Sequence, residues 1–315
     1  MALRDSTADS VVNRNIGGAR ARRRSIATRL GPYLMLSPAL LLVIGVLYPF
    51  ALAVYYSLTN YNLEFPALMK FVGLKNFGFI FTSSDFWHAT GVTFGYAIAA
   101  VAIELALGLM VALLLDRDTL ISKALRGVLV LPLMIAPVLG TLIWRLMMSP
   151  TFGVLNWLLS PFGGRNLTWG DSPNTALPTV VLIDVWIYTP FMALLLLAGL
   201  RSIDSTLYEA ARVDGAPPWA VFRNIIWPLL TPFVIVSVLF RLVDSLRAFD
   251  IIFALSKGGP GNTLWNYQIS AYYNTISFNY VGIGSAYMLI NWVIVYAISQ
   301  GLVTWWNASR RHIAG

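Results

Sequence analysis

Six stretches of this chain, 33–58, 89–115, 127–148, 177–200, 225–249 and 281–306, are apolar over at least the ~20 residues that an α-helix needs to cross a bilayer. Hydrocarbon offers no water to a peptide group, so a spanning segment must satisfy its own backbone bonds. The expectation is an all-α membrane protein with six transmembrane helices. Composition agrees: 57% of the 315 residues are hydrophobic and 11% charged, where soluble domains carry about 25% charged residues. The first stretch runs from Leu30 to Leu63 without a charge and precedes no small-residue cleavage site, so it reads as an anchor, not a signal peptide. The chain has no cysteine and two histidines, which excludes disulfides and thiolate metal sites.

Lys and Arg are distributed unevenly between the connecting segments. Arg4, Arg14, Arg20, Arg22, Arg23, Arg24 and Arg29 precede the first span. Arg117, Lys123 and Arg126 lie between the second and third, Arg201, Arg212 and Arg223 between the fourth and fifth, and Arg310 and Arg311 at the end. The opposite side holds Lys70, Lys75, Arg165 and Lys257. Positive charge favours the cytoplasm, so both termini and the 201–224 connection are expected there. Residues 1–29 read as a disordered, arginine-rich tail lying along the membrane, and 30–315 as one transmembrane domain. The net charge of +8 is accounted for by this asymmetry; a basic tail without a folded readout surface does not indicate nucleic acid. The opposite connections, 59–88, 149–176 and 250–280, exceed what turns require, and short surface helices are expected in them.

The 201–224 connection is built as structure. Asp204 or Ser205 can cap a helix; Leu207, Ala210, Ala211 and Asp214 recur at helical spacing; Gly215 suits a C′ position, and Pro217 and Pro218 restart the chain. A short polar helix carrying Glu209 and Arg212, with Arg223 beyond it, is shaped to dock on another protein. Gly258–Asn262 lacks the Gly-Lys-Ser/Thr ending of a phosphate-binding loop, and no other segment supplies one. Any ATP must therefore be hydrolysed elsewhere.

Glu209-Ala-Ala, Asp214-Gly215-Ala216 and Ile225-Ile-Trp-Pro228 resemble the EAA loop of ABC importer permeases. Further similarity covers Tyr33–Asn62, Phe71–Phe77, Leu131-Pro132, Trp144–Asn156, Trp186–Phe191 and Phe249–Pro260, the last resembling the carbohydrate-uptake branch that includes the maltose and glycerol-phosphate permeases. The resemblance implies a type I importer fold in a bacterial inner membrane and a sugar, polyol or sugar derivative as solute. It also implies a non-identical sister permease, an external solute-binding protein and a pair of ATPase subunits that bind ATP and Mg, with no cofactor in this chain. Glu209, Ala210, Ala211, Arg212, Asp214 and Gly215 would form the coupling helix. Solute contacts would fall on Ile187, Tyr188 and Phe191 before the loop and on Arg241, Asp244, Ser245 and Ala248 after it. Alternatives are an ABC permease for a non-sugar solute and a secondary transporter; the lack of an internal repeat weighs against the second.

Ionisable side chains within spans are costly and face cavities or partners. Arg241 and Asp244, three apart, can pair on one helix face or contact solute, and the residues leave both readings open. Arg247 and Asp250 repeat the spacing near the helix end and read as a structural pair. Glu104 and Asp184 are single carboxylates; for Glu104 a bond to a neighbouring hydroxyl or indole is expected. The two arginines would suit an acidic solute, whereas Asp244 argues for a neutral one.

Overall fold

The computed structural model describes residues 26–162 and 167–313. Arg165 and the tail through residue 25 lie outside the described residues, as do the side chains of Arg310 and Arg311. In chain order the helices are α1 (Ile26–Ser57), α2 (Lys75–Thr82), α3 (Ser84–Leu115), α4 (Leu120–Leu129), α5 (Pro137–Met147), α6 (Val154–Leu159), α7 (Pro173–Arg201), α8 (Ser205–Val213), α9 (Pro218–Val221), α10 (Trp227–Ser245), α11 (Asp250–Ser256), α12 (Tyr267–Tyr272) and α13 (Val281–Ile313). The chain divides into two units, residues 1–52 and 53–315. In the first, α1 is helical from Ile26, and Met35, Leu36, Leu40, Leu42 and Leu47 are exposed, an apolar rod suited to lipid. The remaining paragraphs concern the second.

Among the described residues of the whole chain, α1 included, five helices are long and apolar enough to cross a membrane, and a sixth span results if the bent pair Leu120–Met134 and Pro137–Met147 is taken as one. The expected single helix at 127–148 is therefore broken, with its halves at 96°. Proline explains the break. Pro137 has no N–H to donate and crowds the residue before it, and Ile135 and Ala136 are extended, with ψ of 130° and 133°. The fifth span also differs from its expected bounds. It begins at Pro218, passes through a π-helical turn at Phe222–Ile226 and ends at Ser245, leaving Arg247 outside the helix.

The centre is formed by α3, α7 and α10. On α3 the buried residues Ala89, Thr93, Ala97, Ala100, Glu104, Gly108 and Ala112 recur at three or four, one stripe of mostly small side chains. Small residues let helices approach closely where no hydrophobic effect drives them together. Gly108 is the tightest point: a Cβ there would stand 2.6 Å from the Met192 Cβ and 3.1 Å from the Ala193 nitrogen. Gly108→Val is expected to cost about 1–3 kcal/mol through overpacking and to lower the thermal midpoint of the purified complex; an unchanged midpoint would show that α3 and α7 can part without loss.

Two apolar clusters lie along this axis. One joins Tyr96 and Ala100 to Val180, Ile183 and Ile187 on α7 and to Ile251 and Leu255 on α11. The other joins Ala112 and Leu115 to Leu196, Leu200, Leu230 and Val234. A third gathers Phe86, Ala89, Tyr267, Tyr287 and Ile290, where α3 meets α12 and α13. Glu104 falls between the first two along α3, at the level where α10 presents Arg241.

Candidate functional site

Three helices each bring an ionisable group to one buried point. The α3 stripe carries Glu104 inward, the buried series Val180, Ile183, Asp184, Ile187 on α7 carries Asp184, and α10 carries Arg241. Arg241 Nε and Nη2 donate to the two oxygens of Glu104 at 2.7 and 2.8 Å, a fork-on-fork pair. Nη2 also donates to Asp184 at 2.7 Å, and Nη1 to Asp244 at 2.5 Å. Four of the five guanidinium N–H groups are thereby committed. The Tyr188 ring covers the guanidinium, its centroid 3.9 Å from Cζ, within cation–π range. The Arg241, Glu104 and Asp184 side chains are at most 3% exposed, whereas Asp244 is 59% exposed.

Such a cluster is costly to bury and tolerable only with its hydrogen bonds made. Glu104 thus departs from the expected hydroxyl or indole bond. The signal was in the sequence, since Glu104 lies on the same four-residue stripe as Ala100, Gly108 and Ala112, which directs it into the bundle. Arg241 and Asp244 do pair, as their spacing allowed, yet Arg241's larger commitment is to α3 and α7.

Beside the cluster lies a small cavity of about 70 Å³ lined by Tyr96, Pro137, Asp184, Tyr188, Asp244, Ser245, Arg247, Ala248, Phe249, Asp250 and Ile251. Of the residues expected to contact solute, Tyr188, Asp244, Ser245 and Ala248 are brought together here. Arg241 stands behind the lining. Ile187 does not line it; the side chain is buried in the first apolar cluster, near Gly140. Phe191 packs edge-on against Phe240, ring centroids 6.5 Å apart. Among the described residues no ion pair joins Arg247 to Asp250, and both face the cavity. Ser245 Oγ is buried with no hydrogen-bond partner. The carboxylates are tied to a guanidinium, and no group of three or more His, Asp or Glu among the described residues is arranged to hold a metal.

The polar segment between α7 and α10 forms a separate knob. Asp204 caps α8, accepting from the Thr206 N–H at 2.9 Å, and that bond holds its carboxyl below the usual carboxylate range. A group so depressed favours the folded helix above the ordinary Asp range and loses that contribution as pH falls through its own pKa. At the other end Gly215 has φ +66°, its N–H donates to Arg212 O at 3.1 Å, and the Ala216 N–H donates to Ala211 O at 2.9 Å. These bonds define a Schellman cap, which the left-handed glycine permits. Glu209, Ala210, Arg212 and Asp214 are exposed, while Ala211 is buried within the chain. Val213, 88% exposed, adds an apolar side chain to the knob's surface that helical periodicity did not single out. Arg201, at the end of α7, donates to Asp118 at 2.7 Å and draws its carboxyl below the usual range, tying the base of the knob to the α3–α4 connection.

A polar cavity among membrane-length helices, a capped knob on the two helices that flank it, and no nucleotide-binding loop define a transport subunit worked by another chain. The chain belongs to the family of binding-protein-dependent transport system inner membrane components, whose model matches residues 105–304; it is an ABC importer permease subunit and not an enzyme. It is 36% identical over 269 residues to the trehalose/maltose transport system permease protein MalF of Thermococcus litoralis, covering 85% of this chain and 90% of that one. It is 34% identical over 276 residues to the sulfoquinovosyl glycerol transport system permease protein SmoG of Agrobacterium fabrum, covering 87% and 88%. Its fold matches a chain in the crystal structure of a bacterial ABC transporter that imports the acidic polysaccharide alginate, with TM-score 0.77, 23% identity and coverage of 90% and 97%.

Proposed function

We propose that this chain forms half of the translocation pathway of an ATP-driven sugar importer in a bacterial cytoplasmic membrane, with both termini and the Glu209 knob in the cytoplasm. Its partners are a sister permease, two ATPase subunits that bind ATP and Mg, and an external solute-binding protein. The solute is a sugar, polyol or sugar derivative that enters the Tyr188–Asp244–Ser245 cavity. The observation that carries the reading is positional. Besides residues of α3, α5 and α11, the cavity is walled by α7 and by α10 with the turn that follows it, and these last two are the helices joined by the knob. A push on Glu209, Arg212 and Gly215 from an ATPase is transmitted along both walls. The cavity's chemistry suits sugars: carboxylates and a hydroxyl bond to sugar hydroxyls, and aromatic faces stack on the C–H side of a ring. The names of the relatives, trehalose/maltose and sulfoquinovosyl glycerol permeases, support the same class.

Affinity capture of this chain from native membranes is expected to bring down a second multi-helix permease in near-equal amount and ATPase subunits at about twice that amount. Proteoliposomes holding that complex should accumulate sugar only with internal or external ATP on the ATPase side and the binding protein on the other. ATP-independent uptake by the purified chain alone would overturn the assignment.

A further inference from the structure

Relatives with this fold move solutes that include an acidic polysaccharide, so membership of the family leaves the solute's charge open. The side chains around the cavity do not. Asp184, Asp244 and Asp250 line it against one lining cation, Arg247. Behind them Arg241 is matched by Glu104. Four acidic side chains thus stand against two arginines.

Arg241 would be the natural receptor for an oxyanion, since its fork fits carboxylates and phosphates. That fork is occupied. Its Nε and Nη2 face both Glu104 oxygens, Nη2 also serves Asp184, and Nη1 serves Asp244. An incoming anion could reach it only by displacing a buried carboxylate and leaving that charge unpaired, which costs more than the new pair returns. The unmet capacity in the lining is of another kind. Ser245 Oγ, buried and without a partner, can donate to or accept from a hydroxyl. Asp244, more than half exposed, retains acceptor sites toward the cavity. Both suit uncharged O–H groups.

We propose that this subunit selects uncharged saccharides over anionic ones, with Asp244 and Ser245 contacting sugar hydroxyls and the Asp184–Asp244–Asp250 lining repelling acids. This rests on the sugar reading above and sharpens it. At an effective dielectric of about 20, one like charge within several ångströms corresponds to more than a tenfold change in affinity.

The test is equilibrium binding to the complete importer held in nanodiscs, using matched pairs of neutral mono-, di- and trisaccharides and their uronate, phosphate and sulfonate counterparts. The neutral member of each pair is expected to bind at least about tenfold more tightly. Asp244→Asn should shrink that ratio severalfold by removing one negative charge, and Arg247→Gln should widen it, and a result from either variant suffices. Equal or tighter binding of the anionic members, or a ratio that neither substitution moves, overturns the inference while leaving the sugar reading intact. Binding of no member of any pair overturns the sugar reading and this inference with it.

Discussion

Arg241→Ala is expected to abolish assembly of the folded subunit. The substitution strips the shared partner from Glu104 and Asp184, both almost fully buried, and from the more exposed Asp244. Breaking one buried pair costs about 3–5 kcal/mol because a charge is left uncompensated, and here two carboxylates are stranded at once. Domains as a class are stable by only about 5–15 kcal/mol. The check is size-exclusion profile and thermal midpoint of the co-expressed complex; a wild-type midpoint would show that the cluster does not hold α3, α7 and α10 together. Arg241→Lys should fall between, because an ammonium is a point charge and cannot fork onto Glu104 while reaching the other two acids. The triple replacement Glu104→Leu, Asp184→Leu, Arg241→Leu should recover much of the lost stability, since it leaves no buried charge unpaired and only the more exposed Asp244 loses its partner. Its transport should remain lost, because Asp184 lines the cavity.

The second large effect is on coupling. Glu209→Ala removes an exposed charge that makes no ion pair among the described residues, so the fold should tolerate it. Gly215→Val forces a β-branched residue to φ +66° and strains the Schellman cap by about 1–3 kcal/mol, misdirecting α8 without touching the membrane core. Both variants should reach the membrane and bind their partners in detergent, yet show uptake reduced by at least ~10-fold, the factor that corresponds to about 1.4 kcal/mol of lost coupling. ATP hydrolysis should cease to respond to the solute-loaded binding protein. Wild-type uptake by either variant would remove the knob from the energy path.

The helical class, the apolar runs of the five long helices and the knob were legible because each rests on local chemistry: runs of apolar residues, a capping aspartate, a glycine where φ turns positive. Asp204 and Gly215 act within a few residues of themselves, and both fell where their types implied. The bend at Ile135–Ala136 was partly legible. Pro132 and Pro137 were visible as breaks, but whether a proline kinks a helix or divides it depends on what receives the freed carbonyls, which is tertiary information. The cluster was the hardest to read. Arg241 and Asp244 are near in sequence, so their pairing was open to inspection, whereas Glu104 lies 137 residues away and could be joined to Arg241 only by recognising that a small-residue stripe aims it inward. Ile187 and Phe191 illustrate the converse. Alignment by motif assigns a residue to a helix but not to a face, and one step of about 100° separates Tyr188 at the cavity from Ile187 in the apolar cluster.

The break at Ile135–Ala136 also bears on solvation. Ile135 and Ala136 are extended, and irregular backbone at membrane depth survives only against protein or beside water. Pro137, the first residue past the corner, lines the cavity. The corner therefore needs protein or water beside it, and the cavity wall is the side on which Pro137 meets that need.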